Sequence, residues 1–302
     1  MKQPLHEINL AAHRQFLHPN HMPWHAVRAD EELEFLSLHL CGRKDEQLRA
    51  TAYLYKELAQ LAEIEFHVAS VMVRVIAESQ MRGKGELWEG SDLVHTLGCF
   101  AAEEVQHANT FYRYVRTVTG CDYKLENNYF QERIALYQGD HAPLVKLAAL
   151  TATAYVGESV ITVFETRMKA IDPAMKSPFT RLLCLHGLDE ARHIQADHFV
   201  IDHVLPRLSP LERRQMEELI NATEELNTTL AINSANQLKR QFGIDFQAGN
   251  RSAEVQLAIT HAFRKAILAG DSLRKVDDYL DSDTRALLKD FSHSDRVHAL
   301  AH

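Results

Sequence analysis

Long stretches of helical periodicity, with few helix-breaking residues inside them, are the feature that most constrains this fold. Between residues 45 and 81, apolar side chains recur every three or four positions, as they do on one face of an α-helix. Only 12 glycines and 8 prolines occur in 302 residues, and several of them mark the ends of such stretches. No segment shows strand-like alternation of useful length. The sequence therefore predicts an all-α protein built from long helices.

Capping residues divide the chain into separate helices. The predicted helices cover about 45–81, 91–120, 143–172, 178–206, 209–243 and 252–268, and a charged tail follows. Ser91 is the expected N-cap of the second helix, and Ser209 with Glu212 forms a capping box. Short turns make the first two helices antiparallel neighbours, and likewise the third and fourth. Residues 121–141 form a long connection between these two pairs.

Charge, cysteine content and hydropathy exclude several classes of protein. The net charge of −8 comes without a basic stripe, so no nucleic-acid partner is expected. The four cysteines, at positions 41, 99, 121 and 184, form no Cys-x-x-Cys pair, which fits a reducing cytosol. Residues 1–18 lack an apolar signal core, and no uninterrupted run of eighteen apolar residues occurs. We therefore expect a cytoplasmic protein without a membrane span.

The first 27 residues are rich in histidine and contain three of the prolines. The five histidines are His6, His13, His18, His21 and His25. Such a segment can bind metal, but the uneven spacing favours a solvated, irregular arm that packs on the bundle.

Two Glu-x-x-His motifs are the strongest chemical signal. Glu104 precedes His107 on the second predicted helix, and Glu190 precedes His193 on the fourth. Residues three apart lie on one helical face, so each carboxylate and imidazole can reach the same metal ion. Both motifs lie near the middle of a core-like helix, where an unpaired charge is costly. Their placement predicts a metal site inside the bundle.

The first helix of each pair should supply one more carboxylate at the same height. Glu158 and Glu190 each lie 16 residues from the turn near residue 174, so they are level. In the first pair, Glu65 is the residue level with Glu104. Glu63 points about 160° away around the helix axis and is expected to be solvated, although an error in register would exchange the two.

Four carboxylates suit a pair of metal ions. They cancel the charge of two divalent cations, and oxygen-rich ligation with imidazole favours iron or manganese. Metal-bound histidine usually donates its other N–H to a carboxylate, which Asp189 could provide for His107 and Glu103 for His193. Arg192 lies beside them in sequence. Exposed salt bridges are the alternative for these three residues, and Glu165 is expected to line a pocket or form a salt bridge.

A third histidine narrows the choice of family. His186, Glu190 and His193 project within an arc of about 60°, so one helix could deliver three ligands. With this triplet the chain resembles the para-aminobenzoate N-oxygenase family, di-iron enzymes with a ferritin-like core. The matching positions are Glu65, Glu104, His107, Glu158, His186, Glu190 and His193. The resemblance covers about residues 45–205, and the C-terminal third matches no motif.

This resemblance implies a ferritin-like four-helix bundle core with additional helices at both ends. Residues 1–302 would form a single domain, with the helices of 209–302 packed on the core. It implies two iron ions, O2 as co-substrate, and oxidation of a primary amine to a hydroxylamine, nitroso or nitro product, often in natural-product biosynthesis. The amine would be a small molecule or tethered to a carrier protein, and a reductase or ferredoxin would supply electrons. A homodimer is compatible with the sequence.

Three alternatives share much of this pattern. A di-iron hydroxylase or desaturase acting on carbon would use every predicted ligand except His186. A ferroxidase or iron-storage bundle would bind iron without oxidising an organic substrate, although such chains are normally shorter. A metal-free helical interaction protein would leave buried carboxylates unpaired, which is expensive.

Overall fold

A computed structural model describes residues 2–40, 46–82, 92–246, 251–269 and 278–293 of the chain. These residues form helices and loops, with no strand among them. The α-helices are α1 Lys2–Arg14, α2 Ala29–Leu40, α3 Gln47–Leu54, α4 Gln60–Arg82, α5 Asp92–Thr119, α6 Phe130–Leu136, α7 Pro143–Ile171, α8 Pro178–Val204, α9 Pro210–Phe242, α10 Arg251–Ala269 and α11 Ser282–His293. The all-α prediction is confirmed.

Four long helices form the bundle around which the rest is arranged. The most extensive contacts join α4 to α5 and α7 to α8, and α4 also packs on α7. These are the two predicted antiparallel pairs. The helix predicted over 45–81 is interrupted by a π-helical segment, Tyr55–Ala59, that joins α3 to α4. A π segment shifts the helical register by one residue, so it changes which side chains of the next turns face inward.

The caps that delimit α7, α8 and α9 are those the sequence indicates. Pro143 and Pro178 open their helices as N1 prolines, and Ser177 caps the second of them. Ser209 and Glu212 form the expected capping box of α9, which Gly243 closes in the left-handed conformation. Ser91, the expected cap of α5, lies outside the described residues.

The N-terminal segment predicted to be irregular instead contains helix α1, which packs on α5 and α8. Leu5, Ile8 and Ala12 are buried along its inner face. Their three-and-four spacing is helical, but prolines and histidines around it obscured the signal. The histidine-rich arm is therefore solvated only on its outer side.

Further helices lie in segments where the sequence pattern assigns none. The connection at 121–141 contains the short α6, and the charged tail contains α11. Helices α9, α10 and α11 all pack against α7. They cover a helix that is apolar on most of its circumference, which explains why the chain continues beyond the four-helix core.

Helix α7 is also long and apolar enough to meet a length-and-composition criterion for a membrane span. Its most apolar stretch is 56% buried within the structure. This helix contains no uninterrupted run of eighteen apolar residues, because polar residues, among them Lys146, Thr151 and Glu158, interrupt it. Buried core helices of globular proteins pass the same test, so the finding is weak support for a span.

Candidate metal centre

All seven predicted ligands come together in the middle of the bundle. Each is at most 5% exposed to solvent. Their donor atoms form two groups, within which all lie less than 4.8 Å apart. The first group is Glu65, His107, His186 and Glu190, and the second is Glu104, Glu158, Glu190 and His193. Glu190 belongs to both groups and lies between them.

Local helix geometry explains how four helices reach one centre. On α5, Glu104 and His107 are one turn apart and point to the same side. On α8, His186, Glu190 and His193 occupy consecutive turns of one face. The remaining two carboxylates, Glu65 and Glu158, come singly from α4 and α7.

The first group is organised around Glu65. Its Oε2 lies 2.9 Å from Nδ1 of His107, and its Oε1 lies 3.1 Å from Nε2 of His186. Glu190 Oε1 is 2.8 Å from the same nitrogen of His186 and 3.4 Å from His107 Nδ1. Two imidazoles and two carboxylates therefore face one point.

The second group is organised around His193. Its Nδ1 lies 3.0 Å from Glu104 Oε1, 3.5 Å from Glu190 Oε2 and 3.9 Å from Glu158 Oε1. This group has one imidazole and three carboxylates, so it is richer in oxygen than the first. The ring of Phe100 stacks on His193 with centroids 3.8 Å apart and holds the imidazole plane.

The donor set fits a pair of metal ions better than it fits hydrogen bonding. Glu190 Oε1 and His193 Nδ1 are fully buried, and neither has a well-aligned hydrogen bond to any described residue. Other potential metal-ligand atoms nevertheless lie close to them, His186 Nε2 at 2.8 Å from Glu190 Oε1 and Glu104 Oε1 at 3.0 Å from His193 Nδ1. Separations of about 3 Å are expected between two ligands of one ion bound at roughly 2.1 Å. The side chains converge on shared points between them, as metal ligands do.

Each of the three histidines turns its other ring nitrogen to a second carboxylate. His107 Nε2 is 2.9 Å from Asp189 Oδ2, and His193 Nε2 is 2.8 Å from Glu103 Oε2. These are the two pairings proposed from the sequence. His186 Nδ1 lies 3.4 Å from Glu165 Oε1, so the expected salt bridge of Glu165 is made to this histidine. Such partners select the tautomer that leaves the inner nitrogen free.

Arg192 connects two of these outer carboxylates. Its Nη2 donates to Glu103 Oε1 at 2.8 Å and to Asp189 Oδ1 at 2.6 Å. The backbone N–H of Leu17, just after α1, donates to Asp189 Oδ2 at 2.5 Å. Glu103, Asp189 and Arg192 are all buried, so the alternative of exposed salt bridges is wrong.

The structure also distinguishes Glu63 from Glu65. Glu63 lies outside both groups, and it accepts hydrogen bonds from Tyr112 Oη at 2.7 Å and Asn128 Nδ2 at 2.8 Å. The expectation that Glu63 is solvated holds only in part, because Glu63 is half-buried and the loop before α6 packs against it. Glu65 is the residue that faces the centre.

One acidic residue of the centre was missed in the sequence. Asp197 is completely buried, one turn beyond His193 on α8, and its carboxyl group interacts with that of Glu158. Burial, with the negative charge of Asp197, raises the pKa of Glu158 well above its usual value, and burial likewise raises the pKa of Asp197. The four-residue spacing from His193 was the signal that could have identified it.

Without metal, the centre must hold protons. Burial and the charge of Glu65 raise the pKa of Glu104 to about 8. Burial lowers the pKa of His107, but the charge of Glu65 and the hydrogen bond to Asp189 outweigh it and raise that pKa to about 9. Protonated histidines thus compensate the ionised carboxylates, and divalent cations can replace those protons.

A buried cluster of carboxylates and imidazoles inside two antiparallel helix pairs defines a ferritin-like di-iron protein. A family model described as P-aminobenzoate N-oxygenase AurF matches residues 42–274, which is most of the chain. The chain belongs to this family and is a non-haem di-iron N-oxygenase. Neither the curated proteins nor the solved structures include a significant match.

Proposed function

We propose that each of the two groups would hold one iron ion and that Glu190 would be a ligand shared by both. The position of Glu190 in both groups carries this proposal. The first ion would be held by Glu65, His107 and His186, and the second by Glu104, Glu158 and His193. Four carboxylates balance two divalent cations, and their oxygens with imidazole nitrogens suit iron.

The reaction supported by this centre is oxidation of the nitrogen of a primary amine by O2. In the first step R–NH2, O2, two electrons and two protons give R–NHOH and water. The electrons come from an external donor, a reductase or a ferredoxin, and repeated oxidation leads to a nitroso or nitro product. The iron ions, when bound, supply the redox chemistry with O2.

The chain itself supplies orientation and exclusion of water. Phe100 stacks on His193, and the ring of Phe111 meets His186 edge-on with centroids 5.0 Å apart. Both aromatic residues are buried. They fix the imidazole planes and keep bulk water from the centre, which protects reactive species from side reactions. His186 adds a neutral nitrogen to the first group that a carbon-oxidising centre does not require.

The chemical class of the amine substrate and the biological role of the reaction are part of the proposal. We propose a small aromatic amine of the aminobenzoate type, free or tethered to a carrier protein, and a role in natural-product biosynthesis. The family membership supports the amine. The cytoplasmic location expected from the sequence belongs to the same proposal.

Anaerobic loading with Fe(II), followed by O2 and a panel of primary amines that includes p-aminobenzoate, tests the function. We expect two iron ions per chain, amine-dependent O2 consumption, and a hydroxylamine, nitroso or nitro product that contains oxygen from isotopically labelled O2. Mass spectrometry identifies the product. Iron content near zero or one per chain would exclude the dinuclear centre, and oxygen on carbon would favour the hydroxylase alternative.

Two variants of α8 serve as the test and the control in this experiment. Glu190→Ala removes the shared carboxylate and should lose iron and activity together. His203→Ala alters a half-buried histidine near the end of α8 whose ring stacks on Phe199 and whose Nδ1 lies 2.7 Å from the Phe199 carbonyl oxygen, outside both groups, so it should keep both. Full iron content in Glu190→Ala would show that this residue is no bridge.

A further inference from the structure

A third cluster of potential ligands lies outside the iron centre, where α1 crosses α5. It consists of His13, His95 and Cys99, whose donor atoms all lie within 4.8 Å of one another. The Nε2 atoms of the two histidines are 2.8 Å apart, and their rings meet at 69°. Both histidines are exposed and the cysteine is half-buried, so the cluster opens to solvent.

The packing of α1 against α5 holds these three side chains in place. His95 and Cys99 are one helical turn apart on α5 and share a face. Asn9 of α1 fixes the relative position of the helices, because its Nδ2 donates to the Asp92 carbonyl at 3.2 Å and its Oδ1 accepts from Thr96 Oγ1 at 2.8 Å. The donor atoms are therefore brought together by contacts that do not involve the cluster itself.

We propose that His13, His95 and Cys99 bind one divalent transition-metal ion of the zinc type, separately from the di-iron centre. Two imidazoles and one thiolate are ligands that such ions prefer, and magnesium and calcium do not. Three protein ligands leave one tetrahedral position for water or another small ligand. Two of the three come from one helix and the third from its neighbour, so the ion joins α1 to α5.

This ion would act on a part of the chain that supports the iron centre. His13 lies four residues before Leu17, whose backbone N–H holds Asp189 against His107. A cavity of about 10 Å³, room for one water molecule, lies between α1, α5 and α8 and is lined by Cys99, Glu103 and His193 among others. Metal at the surface cluster would fasten α1 over this cavity. The proposal goes beyond N-oxygenation and does not depend on it.

Cobalt(II) titration of the full-length, iron-loaded protein under a non-thiol reductant tests the site. A thiolate bound to Co(II) gives a charge-transfer band in the near ultraviolet. The predicted iron ligands include no sulfur, so this band reports on a cysteine site alone. We expect a band that saturates at one cobalt per chain, and increased protection of α1 amides in hydrogen exchange when the metal is bound.

Variants assign the band to these residues. Cys99→Ser should abolish it, and His13→Asn should weaken cobalt binding at least about 100-fold, more than the loss of an outer-shell partner costs. Cys121→Ser, at an exposed cysteine just after α5, is the matched control and should leave the band unchanged. Circular dichroism and iron content check that each variant is folded. Absence of the band in the wild type, or an unchanged band in Cys99→Ser or His13→Asn, would overturn the proposal.

Discussion

At the scale of single residues, the centre depends on the carboxylates that orient its histidines. Asp189, Glu103 and Glu165 each face the outer ring nitrogen of a different histidine. A carboxylate in that position holds the N–H on the outer nitrogen and leaves the inner lone pair for a metal ion. Changes at these partners should therefore alter the centre without removing a ligand.

Gly187 offers a direct test of this idea. A Cβ at this position would lie 1.6 Å from Glu165 Oε2, so Gly187→Ala must displace the Glu165 side chain from His186. We expect the free energy of unfolding to fall by about 1–3 kcal/mol, because the crowding exceeds the gain in helix propensity, and amine oxidation to fall with it. Thermal denaturation and turnover measure the two effects.

The control for this variant is Gly98→Ala on α5, where a Cβ would meet nothing within 4 Å. That change should keep activity and raise stability by up to about 1 kcal/mol, because alanine favours a helix over glycine. If Gly187→Ala behaved like Gly98→Ala, Glu165 would have no role in holding His186.

We expect His186 to distinguish this centre from a generic di-iron centre, as the family resemblance implies. Glu190 and His193 remain on α8 when it is removed, so His186→Ala should keep the fold and most of the iron. We expect amine turnover to fall by about 10- to 100-fold, since the first iron loses a neutral donor. Iron analysis and turnover, compared with His203→Ala, measure this. Unchanged turnover would make His186 an ordinary core histidine.

At the scale of elements, Arg192 couples α5 to α8 across the centre. It donates to Glu103 on α5 and Asp189 on α8, which orient histidines in different groups. The segment just after α1 also contacts this network, because the backbone N–H of Leu17 donates to Asp189. The relative position of the two Glu-x-x-His helices is therefore set by a polar network beside the metal ligands.

Arg192→Gln should weaken iron binding by about 10- to 100-fold, because two buried carboxylates lose their shared cation. Helix content should stay unchanged, since Arg192 has no role in capping. Competition with an Fe(II) chelator measures the affinity. Arg181→Gln, on an exposed face of the same helix, is the control and should bind iron as the wild type does. Equal affinities would reduce Arg192 to a structural salt bridge.

At the scale of the whole molecule, the centre links stability to metal and to pH. If Glu104 and His107 bind iron as proposed, the ions have to displace protons from them, because the pKa of Glu104 is raised to about 8 and that of His107 to about 9. Both groups are mostly protonated below pH 8, so the stabilisation that iron provides should increase as pH rises towards these values.

We expect Fe(II) to raise Tm under anaerobic conditions, and by more at about pH 8 than at about pH 6.5. Differential scanning calorimetry of loaded and chelator-treated protein measures the difference at each pH. Glu190→Ala should show little rise at either pH. A rise that is equal at both pH values would mean that iron displaces no protons from the centre in this range.

The sequence alone determined the long helices of the bundle and the local spacing of the predicted ligands. Periodicity and caps are local properties, so the bounds of α7, α8 and α9 were predictable, as were the faces that carry the two Glu-x-x-His motifs. Family resemblance further identified the class of enzyme. The position of a residue relative to a neighbouring helix was harder to predict. Counting residues from the turn favoured Glu65 over Glu63 as the residue level with Glu104, but it could not prove that choice. The ligand roles of the seven residues stay predictions.

Only the tertiary structure decided most of the contacts that side chains make across helices. It placed Glu165 against His186, Asp197 beside Glu158, and α1 against α5 so that His13 reaches His95 and Cys99. These contacts join residues far apart in the chain, and they depend on helix register, which the π segment before α4 also shifts. Local sequence patterns do not specify such distances, because the distances result from helix packing. The apolar faces of α1, α7 and the C-terminal helices pack against one another to bury apolar surface, and this packing sets the positions of their side chains.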